Sequence, residues 1–239
     1  MAQPPENIAE NLLRQSKYII FDGTYFHKDG CLVVIIDAIS KIMLAYWYID
    51  KESYHSVFPM LAHLRQVGLS PRAVTIDGHR MVTRAFKDVW PEVLIQRCLY
   101  HIKYQGMQWL RLYPKTDAGK SLKKLLSTIT TIYTKKDKDT FITFHAEWLQ
   151  KNKKQIKGLP KTSVANTDLK RSMALITNAL PNMFHFVDDN NIPSSTNMLE
   201  GLFSQIKHQY MRHRGLSKKH KISYLLWFCY FTNQKSNKK

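Results

Sequence analysis

The stretch YIIFDGTYF, residues 18–26, decides the fold together with the two runs that follow it, LVVIIDA (residues 32–38) and IMLAYWYI (residues 42–49). All three are rich in β-branched and aromatic residues, which suit a pleated, half-buried surface. Lys28, Asp29 and Gly30 separate the first pair, and Ser40 and Lys41 the second. Connections this short allow only antiparallel pairing of neighbouring strands. The period then changes. From Ser53 to Val67 the apolar residues Val57, Met60, Leu61 and Leu64 recur at helical spacing, and Gly68 and Pro71 close the helix. A short strand from Arg72 to Ile76, a helix from Arg80 to Val89, a strand from Val93 to Cys98 and a helix from His101 to Leu112 follow. Three antiparallel strands and then strands alternating with helices make an α/β fold. The expected sheet is mixed, three antiparallel strands then two parallel ones, with helices on its faces.

Working outward, residues 1–17 are polar, contain Pro4 and Pro5, and read as a linker with a short helical lead-in. Residues 18–115 form the first part of the sheet domain. Residues 116–180 turn helical and lysine-rich, with one apolar stripe at Leu122, Leu125, Leu126, Ile129 and Ile132 and another at Phe141, Phe144, Trp148 and Leu149. This segment reads as an all-helical insertion. Residues 181–234 return to the sheet domain. Within them Met183 to Val187 reads as a short extended segment, and Ser195 or Thr196 as the N-cap of a helix carrying Glu200. A final amphipathic helix spans roughly Lys219 to Phe231, and residues 235–239 are a basic tail.

Composition narrows the function. With 44% hydrophobic residues the chain has the makings of a real core, and 36 Lys and Arg against 18 Asp and Glu give a formal charge of +18. That excess attracts polyanions, of which nucleic acid is the commonest. No lipidation signal or strongly amphipathic basic stretch favours a membrane partner, and no apolar run approaches the ~18 residues of a spanning helix. The cysteines Cys31, Cys98 and Cys229 make no disulfide framework, so a reducing, cytoplasmic setting is expected.

Three acidic residues stand in settings that suit a metal site. Asp22 lies within the first β-like run, where a lone carboxylate is costly unless paired, hydrogen-bonded or metal-bound; the alternative is an Asp22–Gly23 turn. Asp77 follows a short apolar strand, where loops diverge and leave a crevice; the alternative is a cap for the next helix. Glu200 shares a helix face with Asn197, and a helical Glu is ordinarily a solvated one. Taken together in this order, the three can hold two divalent cations, and such a pair can drive in-line attack on a phosphodiester. Oxygen ligands point to Mg²⁺ or Mn²⁺. Cys98 and His101 have half the spacing of a zinc site with no second pair to complete it. They read better as a buried cysteine at a strand end and a histidine near the crevice. After Glu200 there is no Asp or Glu, while Lys207, Arg212, Arg214, Lys218 and Lys219 follow. This stretch reads as a track for DNA phosphates.

With these residues in place the chain resembles the catalytic core of a DDE transposase of the bacterial insertion-sequence lineage related to Mutator-like elements. The matching pieces are the DGTY motif at Asp22 to Tyr25, IDGHR at Ile76 to Arg80, the Cys98-x-x-His101 pair, and the helix start Thr196-Asn197-x-x-Glu200. The resemblance implies a ribonuclease H-like fold with the helical insertion before the last acidic residue. It implies Asp22, Asp77 and Glu200 as the acidic triad, two Mg²⁺ or Mn²⁺ ions, and Asn197, Cys98 and His101 as neighbours of the site. It also implies element-end and target DNA as partners, assembly as a homo-oligomer on DNA, and a nucleoid-associated place of work. Members of that family carry an N-terminal end-recognition module, and the acidic motif here begins close to Met1, so a truncated copy is expected. Two rivals stand beside this reading: a non-catalytic DNA-binding remnant, and a ribonuclease H-like nuclease acting on RNA–DNA hybrids.

Overall fold

The computed structural model describes residues 10–26, 29–160, 162–213 and 215–236. The first nine residues, the turn residue Lys28, Arg214 and the last three residues of the basic tail lie outside this set. The chain divides into two compact units, one built from residues up to Gln96 and from Asn191 onward, the other from Arg97–Asn190.

The first unit is a five-stranded mixed sheet of order β3-β2-β1-β4-β5. Its strands are β1 (Tyr18–Tyr25), β2 (Cys31–Asp37), β3 (Met43–Ile49), β4 (Ala73–Ile76) and β5 (Leu94–Arg97). β1, β2 and β3 pair antiparallel, and β4 joins the other edge of β1 in parallel. The helices of this unit are α1 (Glu10–Gln15), α2 (Tyr54–Val67), α3 (Arg80–Val89), α9 (Asn197–Met211) and α10 (Lys218–Ser236). This is the mixed α/β sheet with flanking helices that the sequence implied, consistent with a ribonuclease H-like fold.

β2 explains the sheet's position: all seven of its residues are buried, as a strand covered on both faces requires. Side chains alternate across it, so Cys31, Val33 and Ile35 pack with Val57, Leu61, Leu64 and Phe86 of α2 and α3. Leu32, Val34 and Ile36 pack with Leu199, Phe203, Ile206 and Leu225 of α9 and α10. Asp37 ends β2 by accepting hydrogen bonds from the Ile39 and Ser40 amides at 3.2 and 2.6 Å, which folds the tight turn to β3. Ser53 caps α2 through the Ser56 amide, and Gly68 closes it at φ 113°. α10 is pinned by a two-way bond: Asn233 Nδ2 donates to the Met43 carbonyl and its Oδ1 accepts from the Met43 amide, both at 3.0 Å.

The second unit is all helical: α4 (Leu99–Leu110), α5 (Asp117–Thr128), α6 (Lys135–Gly158), α7 (Val164–Ala179) and α8 (His185–Asp188), with 3-10 turns after α5 and α7. Leu122, Leu126 and Ile129 pack with Ile102, Phe141, Trp148 and Ile176. A capping box starts α6, Thr134 receiving the Asp137 amide while the Asp137 carboxylate receives the Thr134 amide. Two expectations are corrected here. Met183 to Val187 is not extended: residues 185–188 make a single helical turn, because Met183 and Phe184 must bury against the helical core. The helix expected from His101 begins at Leu99, since the chain turns directly out of β5 with Cys98 at the N-cap.

Two outcomes test this packing. Asn233→Ala strips partners from both backbone groups of Met43 and should lower stability by about 3 kcal/mol, read as a drop in denaturation midpoint; Asn233→Asp should do little better, since a carboxylate cannot donate. His145, 2% exposed, has no hydrogen-bond partner at Nε2 among the described residues. Burial pushes its pKa below the usual 6.5. The unfolded chain therefore gains a proton there before the folded one, and stability falls as pH drops below about 6.5. His145→Leu should flatten that part of the stability-versus-pH curve relative to the parent chain.

Candidate metal centre and DNA-facing surface

Strand periodicity places the first acid. In β1, Ile20 belongs to the face covered by α9 and α10, and Phe21 to the face covered by α2 and α3. Asp22, two residues beyond Ile20, points to the α9 side. The parallel register with β4 pairs Ile20 with Thr75. Two residues beyond that pair stand Asp22, still within β1, and Asp77, just past the end of β4, so both acids lie at the same end of the sheet. Thr75 fixes the third partner's approach: its hydroxyl donates to the Pro193 carbonyl at 2.7 Å, tying the segment that leads into α9 onto β4.

α9 begins at Asn197 with Thr196 in the N-cap position, although the Thr196 side chain makes no cap bond. Glu200 occupies the first turn, half-buried, while Asn197 is exposed. The carboxylates of Asp22 and Glu200 approach within 4.8 Å. Asp22 is 8% exposed, and its Oδ1 also accepts the Gly23 amide at 2.9 Å. Two carboxylates at this range repel when both carry charge, and a divalent cation between them turns that repulsion into attraction. The two carboxylates offer hard oxygen donors, which suit a divalent cation. Asp77 stands outside this close pair: its carboxylate is turned onto the His79 amide at 2.7 Å, in the turn that Gly78 makes at φ 93°.

β1 continues without a break through Gly23 to Tyr25, which disposes of the Asp22–Gly23 turn. The glycine has another reason. A Cβ on Gly23 would lie 2.0 Å from Glu52 Oε1 and 3.0 Å from Cys31 Sγ. Glu52 is held there by the Cys31 thiol at 3.4 Å and by its own amide donating to the Tyr25 hydroxyl at 3.1 Å. Burial, and then the Glu52 carboxylate, push the Cys31 thiol well above its usual range. Glu52 was missed by sequence reading; the small residue inside a strand was the available signal.

Cys98 and His101 lie in the second unit, Cys98 buried at the N-cap of α4 and His101 half-buried in its first turn. Lys207 is exposed on α9 two turns beyond Glu200, and Arg212 caps the helix C-terminus. Lys218 and Lys219 open α10, both exposed. The stretch after Glu200 does acquire counter-charges from far along the chain. Lys218 lies 3.8 Å from Asp50, and Lys221 lies 3.8 Å from Asp29. The first pair is exposed and the second half-buried, and at 3.8 Å both are weak.

A family-wide profile described as "Transposase, Mutator family" matches residues 31–226, most of the chain. The chain belongs to the Mutator transposase family. No curated protein matches the sequence. As a transposase of this family the chain has DNA as its partner, and the family uses divalent metal. No helix among the described residues is long and apolar enough to cross a membrane.

The close carboxylate pair predicts that Mn²⁺ binding, followed by calorimetry or electron paramagnetic resonance, weakens at least about tenfold in Asp22→Asn and in Glu200→Gln, as loss of one ligand implies. Asp77→Asn should weaken it less, because that carboxylate must first leave the His79 amide.

Proposed function

We propose that the chain is the catalytic core of a DDE transposase, cutting DNA at an element end and joining the freed 3′-hydroxyl to target DNA. The observation that carries this reading is the approach of the Asp22 and Glu200 carboxylates within 4.8 Å, on strand and helix elements of a Mutator-family chain. Asp22, Asp77 and Glu200 would hold Mg²⁺ or Mn²⁺, which when bound lowers the pKa of an attacking water or 3′-hydroxyl and stabilises the leaving oxygen.

The protein's own contribution is position. Asp22 is held by a strand whose two faces are both packed, so its backbone has no freedom to retreat. Glu200 is held by α9, whose buried side chains Leu199, Phe203 and Ile206 lock its rotation against the sheet. Asp77 joins by releasing the His79 amide. Lys207, Arg212, Lys218 and Lys219 line exposed surface on α9 and α10, where they would follow the DNA backbone. Water or a 3′-hydroxyl serves as nucleophile throughout, so no covalent protein–DNA intermediate forms. Two copies bridging paired element ends, working at the nucleoid, complete the reading.

The test is Mn²⁺-dependent nicking and strand joining on DNA carrying the native element ends. The parent chain should do both, and Asp22→Asn should lose both while keeping its fold and salt-sensitive DNA binding. Undiminished cleavage by Asp22→Asn would overturn the assignment.

A further inference from the structure

Helix α4 of the second unit carries an exposed aromatic pair that no part of the hydrophobic core uses. Tyr100 and Tyr104 stand one turn apart, 41% and 53% exposed. Their rings are stacked, with centroids 6.2 Å apart and planes inclined by 13°. The face between and beyond them is cationic or polar. Lys103 is anchored by its ammonium on the Thr130 hydroxyl at 2.9 Å, a neutral partner, and Gln108 and Arg111 are exposed further along. From Val93 to Thr116 the sequence contains no Asp or Glu, while it contains Arg97, Lys103, Arg111 and Lys115.

Parallel rings in water, fixed on a rigid helix whose own stretch of chain carries cations and no carboxylate, suit a flat, electron-rich partner attached to a polyanion. We propose that Tyr100 and Tyr104 form a stacking platform for an unpaired nucleobase of the DNA substrate, a reading that rests on DNA being the substrate. The occupant is an unpaired base and not a duplex. Within a duplex each base face is already covered by its neighbours, whereas a single strand, a frayed end or a flipped nucleotide leaves a face free. A carboxylate-bearing protein surface would have answered the cations equally well, but it offers no flat ring to the tyrosines. The helix follows directly on Cys98 in the chain and bears His101 between the two tyrosines, so the platform belongs to the element that carries the Cys-x-x-His motif.

The experiment uses the full chain in EDTA, so that no cleavage intervenes, with two probes: a single-stranded oligodeoxynucleotide containing 2-aminopurine, and the same sequence as a blunt duplex. The parent chain should quench the fluorescent base in the single strand. Tyr100→Ala and Tyr104→Ala should each bind the single strand about tenfold more weakly and lose the quenching, the scale of one base–aromatic stack. Tyr→Phe and Tyr→Trp at either position should retain both, and the dependence of affinity on salt should be unchanged because no phosphate contact is lost. Both side chains are exposed, and circular dichroism should report an intact fold in every variant. Equal losses on single strand and duplex, unchanged binding by the alanine variants, or failure of the phenylalanine variants would each overturn the platform while leaving the acidic site's own test standing. Absence of any DNA binding by the parent chain at low salt would overturn both readings together.

Discussion

A sheet buried on both faces is the constraint on which the candidate site depends. Because β1 and β2 are covered by α2 and α3 on one side and by α9 and α10 on the other, every residue of β1 must choose a face, and period two makes the choice for it. Ile20 commits Asp22 to the α9 side. Phe21 commits Gly23 to the α2 side, where Glu52 and Cys31 leave no room for a Cβ. A slip of one residue in the β1–β2 register would turn the carboxylate away from α9 and drive a phenylalanine toward it. The same packing that stabilises the core therefore aims the acid.

Two further contacts extend that constraint. Thr75 holds the approach to α9 on β4, and the two-way bond of Asn233 to Met43 holds α10 on β3. The first is partly buried and the second buried, and each links parts of the chain more than a hundred residues apart. They are modest individually, since a hydrogen bond exchanged with water is worth about 1 kcal/mol net. Their value is directional: apolar packing sets which face of α9 meets the sheet, and the Thr75 bond fixes where the segment leading into that helix sits, and Glu200 with it.

The charge of the protein is divided by use. In the helical unit, Asp137 is engaged in the capping box of α6, which lowers its pKa, and Asp188 pairs with Lys138 and Lys135. In the sheet unit, Asp29 and Asp50 reach Lys221 and Lys218 from distant loops. These carboxylates are at least partly open to solvent and screened, and they are outnumbered two to one by Lys and Arg, so they leave the surface electropositive. Acids with little exposure are rarer, and Asp22 is one placed where function reads most naturally.

The strands and helices around the acidic motifs were legible because their apolar periods are regular and their turns carry glycine, proline or Asp signals. β2, an apolar run between two turn signals, was legible as a strand paired antiparallel with its neighbours, and its interior place came from the sheet order. The segment at Met183 to Val187 was not legible, because a run of five residues has no period of its own and takes its form from the helical core it must join. Glu52 was equally hidden, since a glutamate after a strand looks like solvent-facing loop until Gly23 and Cys31 are brought against it. The order of residues was enough to point to the candidate acids, the cations, the mixed α/β arrangement and the family. Only the tertiary structure decided that Asp22 and Glu200 close to within 4.8 Å while Asp77 turns onto its own backbone. Those distances depend on strand register and helix rotation, which are set by packing across the whole sheet and not by any local pattern.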